Sequence, residues 1–239
     1  NKAAKMICQR TDDVPQFHFI YTTSNHGPYK MPLHDLGFDG DKIMKVGQDV
    51  LDEKIIPKVL GTFWYSDRAI NQFIQEMKKA YPDSLFIVTG DHGFQCSELQ
   101  HTSFMKREYT FRELHSPVLM FHHPELDKAS LAGNIIGGHM NILPTLFELI
   151  APAGFTYYSL FHSLTEPISQ CVTPYHWANL QAIGACHEAY YQPLTAQSGA
   201  DVLQSAAPYD DICDAEKSLT AYLLQHSELL QPVDALLRR

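Results

Sequence analysis

Three stretches of the sequence predict an α/β fold with a mainly parallel sheet flanked by helices. Leu85–Thr89 is a short apolar run rich in β-branched residues, bounded by Ser84 and Gly90, the pattern of a strand covered on both faces. Asp67–Ala80 carries Ile70, Phe73, Ile74 and Met77 at helical spacing, with Tyr81 next, and feeds directly into that strand. A helix entering a buried strand is half of a parallel crossover unit. Phe17–Thr23 is a second strand-like run of aromatic and β-branched residues.

Both predicted strands end in polar, glycine-punctuated turns. The first empties into Ser24–Tyr29, which contains His26, and the second into Gly90–Gly93, which contains Asp91 and His92. In open α/β sheets ligands collect beyond the carboxyl ends of the strands. Two such strands side by side place His26 and the Asp91–His92 pair on one rim. A carboxylate oxygen beside an imidazole nitrogen suits a divalent ion such as zinc or manganese. The same residues also read as an ordinary turn, where Asp is common. Gly90 and Gly93 let the backbone turn sharply and approach a ligand closely.

The length of 239 residues, with 45% hydrophobic and 19% charged residues, is enough to bury a core. A formal net charge of −9 and the lack of any Lys/Arg-rich run argue against a nucleic-acid surface. No apolar stretch reaches the roughly 20 residues of a membrane helix, and Asn1–Asp13 lacks the apolar core of a targeting peptide. Cys8, Cys96, Cys171, Cys186 and Cys213 contain no Cys-x-x-Cys pair, so their spacing does not suggest zinc. They read as buried thiols, with one disulfide among the last three as the alternative in an oxidising space.

In chain order, Asn1–Arg10 reads as the tail of a helix without a start signal. Lys42 to about Leu60 has helical period, with Pro57 expected to interrupt it. Ser66 or Asp67 is expected to cap the next helix and Pro82 to close it. Gln95–Leu114, with His101, Lys106 and Arg107, has the composition of an active-site loop. Ser116–Phe121 reads as a strand, and His122–His123 after it as a surface turn. Asn141 is the expected N-cap of a helix with Pro144 in its first turn and Leu143, Leu146, Phe147 and Ile150 facing the core. Beyond Ala151 the composition shifts toward Tyr, His, Ser and Pro, which divides the chain into residues 1–150 and a carboxyl-terminal extension, 151–239. A strand is expected to run from about Ile183 to Tyr191. Ala215–Leu230 reads as a last helix with Leu219, Tyr222, Leu223 and Leu230 facing in.

Five of these segments occur in a familiar order: Tyr21–Tyr29, the Tyr65-Ser-Asp67 helix start, Leu85–Gly93, Ser116–Met120 and His139–Thr145. Together they resemble the sulfatase-like branch of the alkaline phosphatase superfamily. The Ser24–Tyr29 loop looks most like that of the lipoteichoic acid synthase and phosphoglycerol transferase group. The resemblance implies an alkaline-phosphatase-like sandwich that presents one divalent metal ion (manganese, magnesium, calcium or zinc) at the rim of its sheet. It also implies attack on phosphorus or sulfur by a Thr, Ser or modified Cys. By the resemblance Asp91 and His92 are metal ligands, and His26 contacts the transferred phosphoryl or sulfuryl group. His101 is a second-tier candidate in a substrate loop.

Relatives of this kind carry the nucleophile and the first acidic metal ligand upstream of the Ser-Asn-His loop. Only sixteen residues precede Phe17, and none of them matches either role. The expectation is therefore the carboxyl-terminal part of a catalytic domain, with its amino-terminal part missing and inactive alone. Its cut sheet edge is expected to favour self-association. The implied activity is phosphoryl transfer or hydrolysis, of phosphoglycerol type on an envelope lipid or glycan. The alternatives are sulfuric ester hydrolysis or a non-catalytic binding domain of the same fold. The resemblance places the parent protein at the extracytoplasmic face of the cytoplasmic membrane or in the periplasm.

Overall fold

The computed structural model describes residues 1–9, 14–41, 55–96, 107–131, 136–188, 190–194, 203–204, 209–226 and 229. The chain forms two compact units, one of residues 1–109 and 113–126, the other of residues 110–112 and 127–239.

The first unit is built on a long helix. Helix α1 spans Lys2–Ile7, and Asn1 is its N-cap, accepting from the N–H groups of Ala3 and Ala4. The cap of this helix, for which the sequence shows no start signal, is Asn1. Asn1 also donates to the carbonyl of Ala69 at 3.2 Å, which ties α1 to helix α2, Ile55–Ala80. Helix α2 runs unbroken through both places where the sequence predicts an interruption. Pro57 falls in its first turn, where an amide hydrogen has no intrahelical acceptor to lose. Ser66 sits mid-helix and turns its hydroxyl outward to Asn25. Ile56, Val59 and Thr62 are fully buried along α2, and Met77 nearly so. Gly61 lets the 31–38 loop close on the helix, since a Cβ there would collide with Leu33 and Phe38.

Strand β1, Phe86–Thr89, follows α2 as expected. Past it lie the short helix α3, Phe111–His115, and strand β2, Leu119–His122. The two strands pair antiparallel, Phe86 opposite His122 and Thr89 opposite Leu119. The α/β class holds, but the mainly parallel direction is not seen in the described strands, every pair of which is antiparallel. The reason lies in Phe17–Thr23. A parallel crossover needs a strand before its helix as well as after it, and this segment joins neither sheet. Its side chains stay outside, with Phe17 at 72% and Phe19 at 82% exposure.

In the second unit, helix α4, Ile142–Ile150, follows a single 3₁₀ turn, His139–Asn141. Asn141 occupies the N-cap, but its side chain makes no cap bond. Five antiparallel strands then form a meander in sequence order. They are β3 Gln170–Val172, β4 His176–Asn179, β5 Ala182–Ala185, β6 Tyr190–Pro193 and β7 Leu203–Gln204. The single strand expected from Ile183 to Tyr191 is therefore two, folded back at His187, whose φ of 62° lies in the left-handed region. Trp177 packs directly opposite Gly184, where any Cβ would strike its indole.

Helix α5, Asp210–Gln225, closes the unit. Its buried residue is Cys213, which forms a disulfide with Cys186. The reading of all five cysteines as thiols is thus corrected. The two sulfurs lie in one cluster with Val172, Trp177 and Ala182, a proximity that their spacing of 27 residues does not announce. Leu219 and Tyr222, expected inside, are 42% and 51% exposed, and Leu230 lies outside the described residues. Cys171 remains a thiol, pushed up to about 11 by burial and by the nearby Glu216.

Candidate functional site

His26 sits on a braced loop. Its N–H donates to the Thr23 carbonyl at 3.1 Å, and its own carbonyl accepts from the Tyr29 N–H at 3.3 Å. On one side Asn25 Oδ1 accepts from the Ser66 hydroxyl at 2.8 Å. On the other, Tyr29 takes a positive φ of 55° and is buried with Ile56, Val59 and Cys96. The imidazole between these anchors is exposed. Its Nδ1 lies 2.7 Å from the Gly27 carbonyl. A carbonyl can only accept, so Nδ1 carries the proton and Nε2 faces outward.

The Asp91–His92 turn uses the same device. His92 Nδ1 is 2.6 Å from the Gly93 carbonyl, which leaves Nε2 as the outward nitrogen, 3.9 Å from Asp91 Oδ1. Asp91 Oδ1 also accepts the His92 amide hydrogen at 3.1 Å. Both side chains are more than half exposed. Gly93 donates to the Leu114 carbonyl at 2.7 Å, and a Cβ there would collide with the carbonyl of Glu113. The close approach that this glycine permits is to its own chain, not to a ligand.

The two loops share a root. Tyr29, three residues after His26, and Cys96, four after His92, belong to one buried cluster with Ile56 and Val59, and Phe94 packs against it. Tyr109 holds the second loop from outside: its hydroxyl accepts from the Cys96 amide and donates to the Cys96 carbonyl, both at 3.3 Å. Burial raises its pKa. Arg107, a candidate cation in the predicted substrate loop, is forked onto Glu113 at 2.6 and 2.8 Å. That hydrogen bonding raises its pKa and commits its charge to its own chain. His101 lies outside the described residues. Asn25, Tyr29 and Ser66 lie in segments that carry the resemblance, but their bracing roles, and that of Tyr109, have no local signal because their partners are distant in the chain.

Among the described residues no three His, Cys, Asp or Glu side chains form a cluster able to hold a metal. Asp91 and His92 are a pair, and the structure does not gather His26 with them into a ligand set. The pair nevertheless fits part of a metal shell. A ligating histidine characteristically donates its second ring N–H to a carbonyl or carboxylate, which fixes the tautomer, and His92 does this through Gly93.

The sulfatase family model matches residues 1–151, which take in both loops. The chain belongs to the sulfatase family. Sulfatases generally use a divalent metal and act on sulfate or phosphate esters, the setting that the Asp91–His92 chemistry suits. No curated protein matches the sequence. Among solved structures, the chain is similar to the lipoteichoic acid synthase LtaP from Listeria monocytogenes. The two share 16% identity with a TM-score of 0.53, over 87% of this chain and 52% of that one. At that identity the likeness shows the fold, an alkaline-phosphatase-like α/β architecture of which this chain is a part. The chain spans about half the length of the synthase.

Proposed function

We propose that this sulfatase-family chain contributes to a metal-dependent phosphoryl transferase or hydrolase of phosphoglycerol type, acting on an envelope lipid or glycan. The observation that carries the reading is the matched construction of the two loops. Each presents an imidazole whose Nδ1 is fixed on the carbonyl of the following glycine, and both are rooted in one core cluster. Asp91 and His92 would hold the ion through the carboxylate and Nε2. Such a cation supplies charge neutralisation and activation of an attacking hydroxyl. His26, its ring fixed through Nδ1, would contact an oxygen of the transferred group through Nε2 and stabilise charge developing there. The resemblance of the Ser24–Tyr29 loop to the phosphoglycerol transferase group favours phosphoglycerol chemistry, whereas the family match over residues 1–151 equally admits a sulfuric ester.

The disulfide favours an oxidising compartment, in keeping with an extracytoplasmic location for the parent protein. Two ligands hold a divalent ion weakly, so we expect further ligands to come from beyond this pair and the 239-residue chain to be inactive alone. Manganese binding, followed by electron paramagnetic resonance, is expected to be weak and to fall about tenfold or more in Asp91→Ala. Binding unchanged by that substitution removes Asp91 as a ligand. Turnover of a nitrophenyl phosphate by the chain, abolished in Asp91→Ala, would overturn the expected inactivity. Preference for the nitrophenyl sulfate would favour the sulfatase alternative.

A further inference from the structure

The ring of His92 is held by a single peptide plane. The Gly93 carbonyl, which accepts from His92 Nδ1 at 2.6 Å, belongs to the peptide joining Gly93 to Phe94, and a peptide group is rigid and planar. The tilt of that plane therefore sets both the tautomer of His92 and the direction in which its Nε2 faces.

Each end of the plane has its own support. On the Gly93 side, the amide donates to the Leu114 carbonyl at 2.7 Å. On the other side, the Phe94 ring meets Phe63 of α2 and Tyr109 edge to face, at centroid distances of 4.9 and 5.9 Å. Two residues further on, the Tyr109 hydroxyl accepts from the Cys96 amide and donates to the Cys96 carbonyl. Burial raises the pKa of this hydroxyl, so it keeps the proton that lets it donate and accept at once. The two supports are themselves tied together. Arg107, two residues before Tyr109, is forked onto Glu113, the residue before Leu114, and a bidentate pair of this kind fixes geometry as well as charge.

We propose that Tyr109 is a positioning residue for His92. Its ring clamps Phe94 and its hydroxyl holds Cys96, so the Gly93–Phe94 peptide keeps His92 protonated at Nδ1 and bare at Nε2. A ligating imidazole needs that division of roles between its two nitrogens. The functional weight of the inference rests on the reading of His92 as a metal ligand, but the geometry it asserts does not.

The test is long-range proton–nitrogen NMR of the imidazoles in the 239-residue chain, with the ring neutral and the His92 signals assigned by their loss in His92→Gln. The parent is expected to show the Nδ1–H tautomer. Tyr109→Phe keeps the ring and loses only the hydroxyl. It is expected to bring in the Nε2–H tautomer, moving the ratio about fivefold. Arg107→Gln, at an exposed ion pair, is expected to move it the same way by a smaller factor. Met77→Ala, at a buried position near the far end of α2, is expected to lower the urea midpoint and leave the ratio unchanged. An unchanged ratio in Tyr109→Phe would overturn the proposal, as would an equal change in Met77→Ala, which marks a merely structural role. Manganese binding followed in parallel separates this inference from the metal reading. A parent that binds no manganese, yet changes tautomer in Tyr109→Phe, removes His92 as a ligand and supports Tyr109 as the residue that orients it.

Discussion

Gly93 is a glycine because the chain crosses it: the carbonyl of Glu113 occupies the space a methyl group would need. Gly93→Ala must push that segment away and is expected to cost about 2–3 kcal/mol, read as a lower urea midpoint. It would also displace His92, whose ring is held by the Gly93 carbonyl. Glu216 carries a different cost. One of its carboxylate oxygens is buried with no hydrogen-bond partner among the described residues, and burial raises its pKa above the ordinary carboxylate value. The native state then binds this proton more tightly than the unfolded chain does. Stability from this group is fully present below the unfolded pKa and is lost as pH rises through the folded one. Glu216→Gln is therefore expected to be more stable than the parent at pH 7 and to lose that advantage near about pH 3.5, as urea unfolding at both values would show. His176 titrates in the opposite sense. Burial lowers its pKa, so its contribution is lost as pH falls below the unfolded histidine value.

Among the elements, α2 and α5 show where local rules give way to packing. Proline predicts a break only in a helix interior, and the first turn of α2 reaches far enough back to make Pro57 harmless. The mid-helix Ser66 resembles a cap by composition, yet its hydroxyl is spent on Asn25 in the loop that carries His26. In α5 the apolar residues Leu219, Tyr222 and Leu224 do not face in; the buried position is Cys213, which the disulfide to Cys186 pins against the meander. By closing a loop of this length, the disulfide contributes about 3 kcal/mol through the unfolded state. Cys213→Ser is expected to lower the unfolding midpoint accordingly, and a reducing agent is expected to lower the parent to the same value while leaving the variant unchanged.

At the scale of the whole molecule, Phe17, Phe19 and Tyr21 recur at strand period and all are strongly exposed, in a segment outside both sheets. A segment of alternating apolar side chains left unpaired and exposed is a template for pairing with another chain. Sedimentation velocity is expected to show concentration-dependent self-association, which Phe19→Asp suppresses. A concentration-independent monomer would remove this expectation. The boundary expected at residue 150 lies inside the second compact unit, which takes in residues 127–239; limited proteolysis that cuts first near residue 127 would favour the compact units, and a first cut near residue 150 would favour the expected division.

The sequence by itself singled out the segments that are proposed to carry chemistry. His26, Asp91 and His92 were legible because each sits in a glycine-punctuated turn after a β-branched run, and turn chemistry is local. It also determined the α/β class and the family, because motif order survives without any knowledge of contacts. Only the tertiary structure decided strand direction, the disulfide, the register of α5 and the common root of the two loops. Each of these depends on which distant residues meet: Ser66 with Asn25, Tyr29 with Cys96, Cys186 with Cys213. Such pairs are fixed by the simultaneous burial of surfaces that lie far apart along the chain, and no local pattern encodes them.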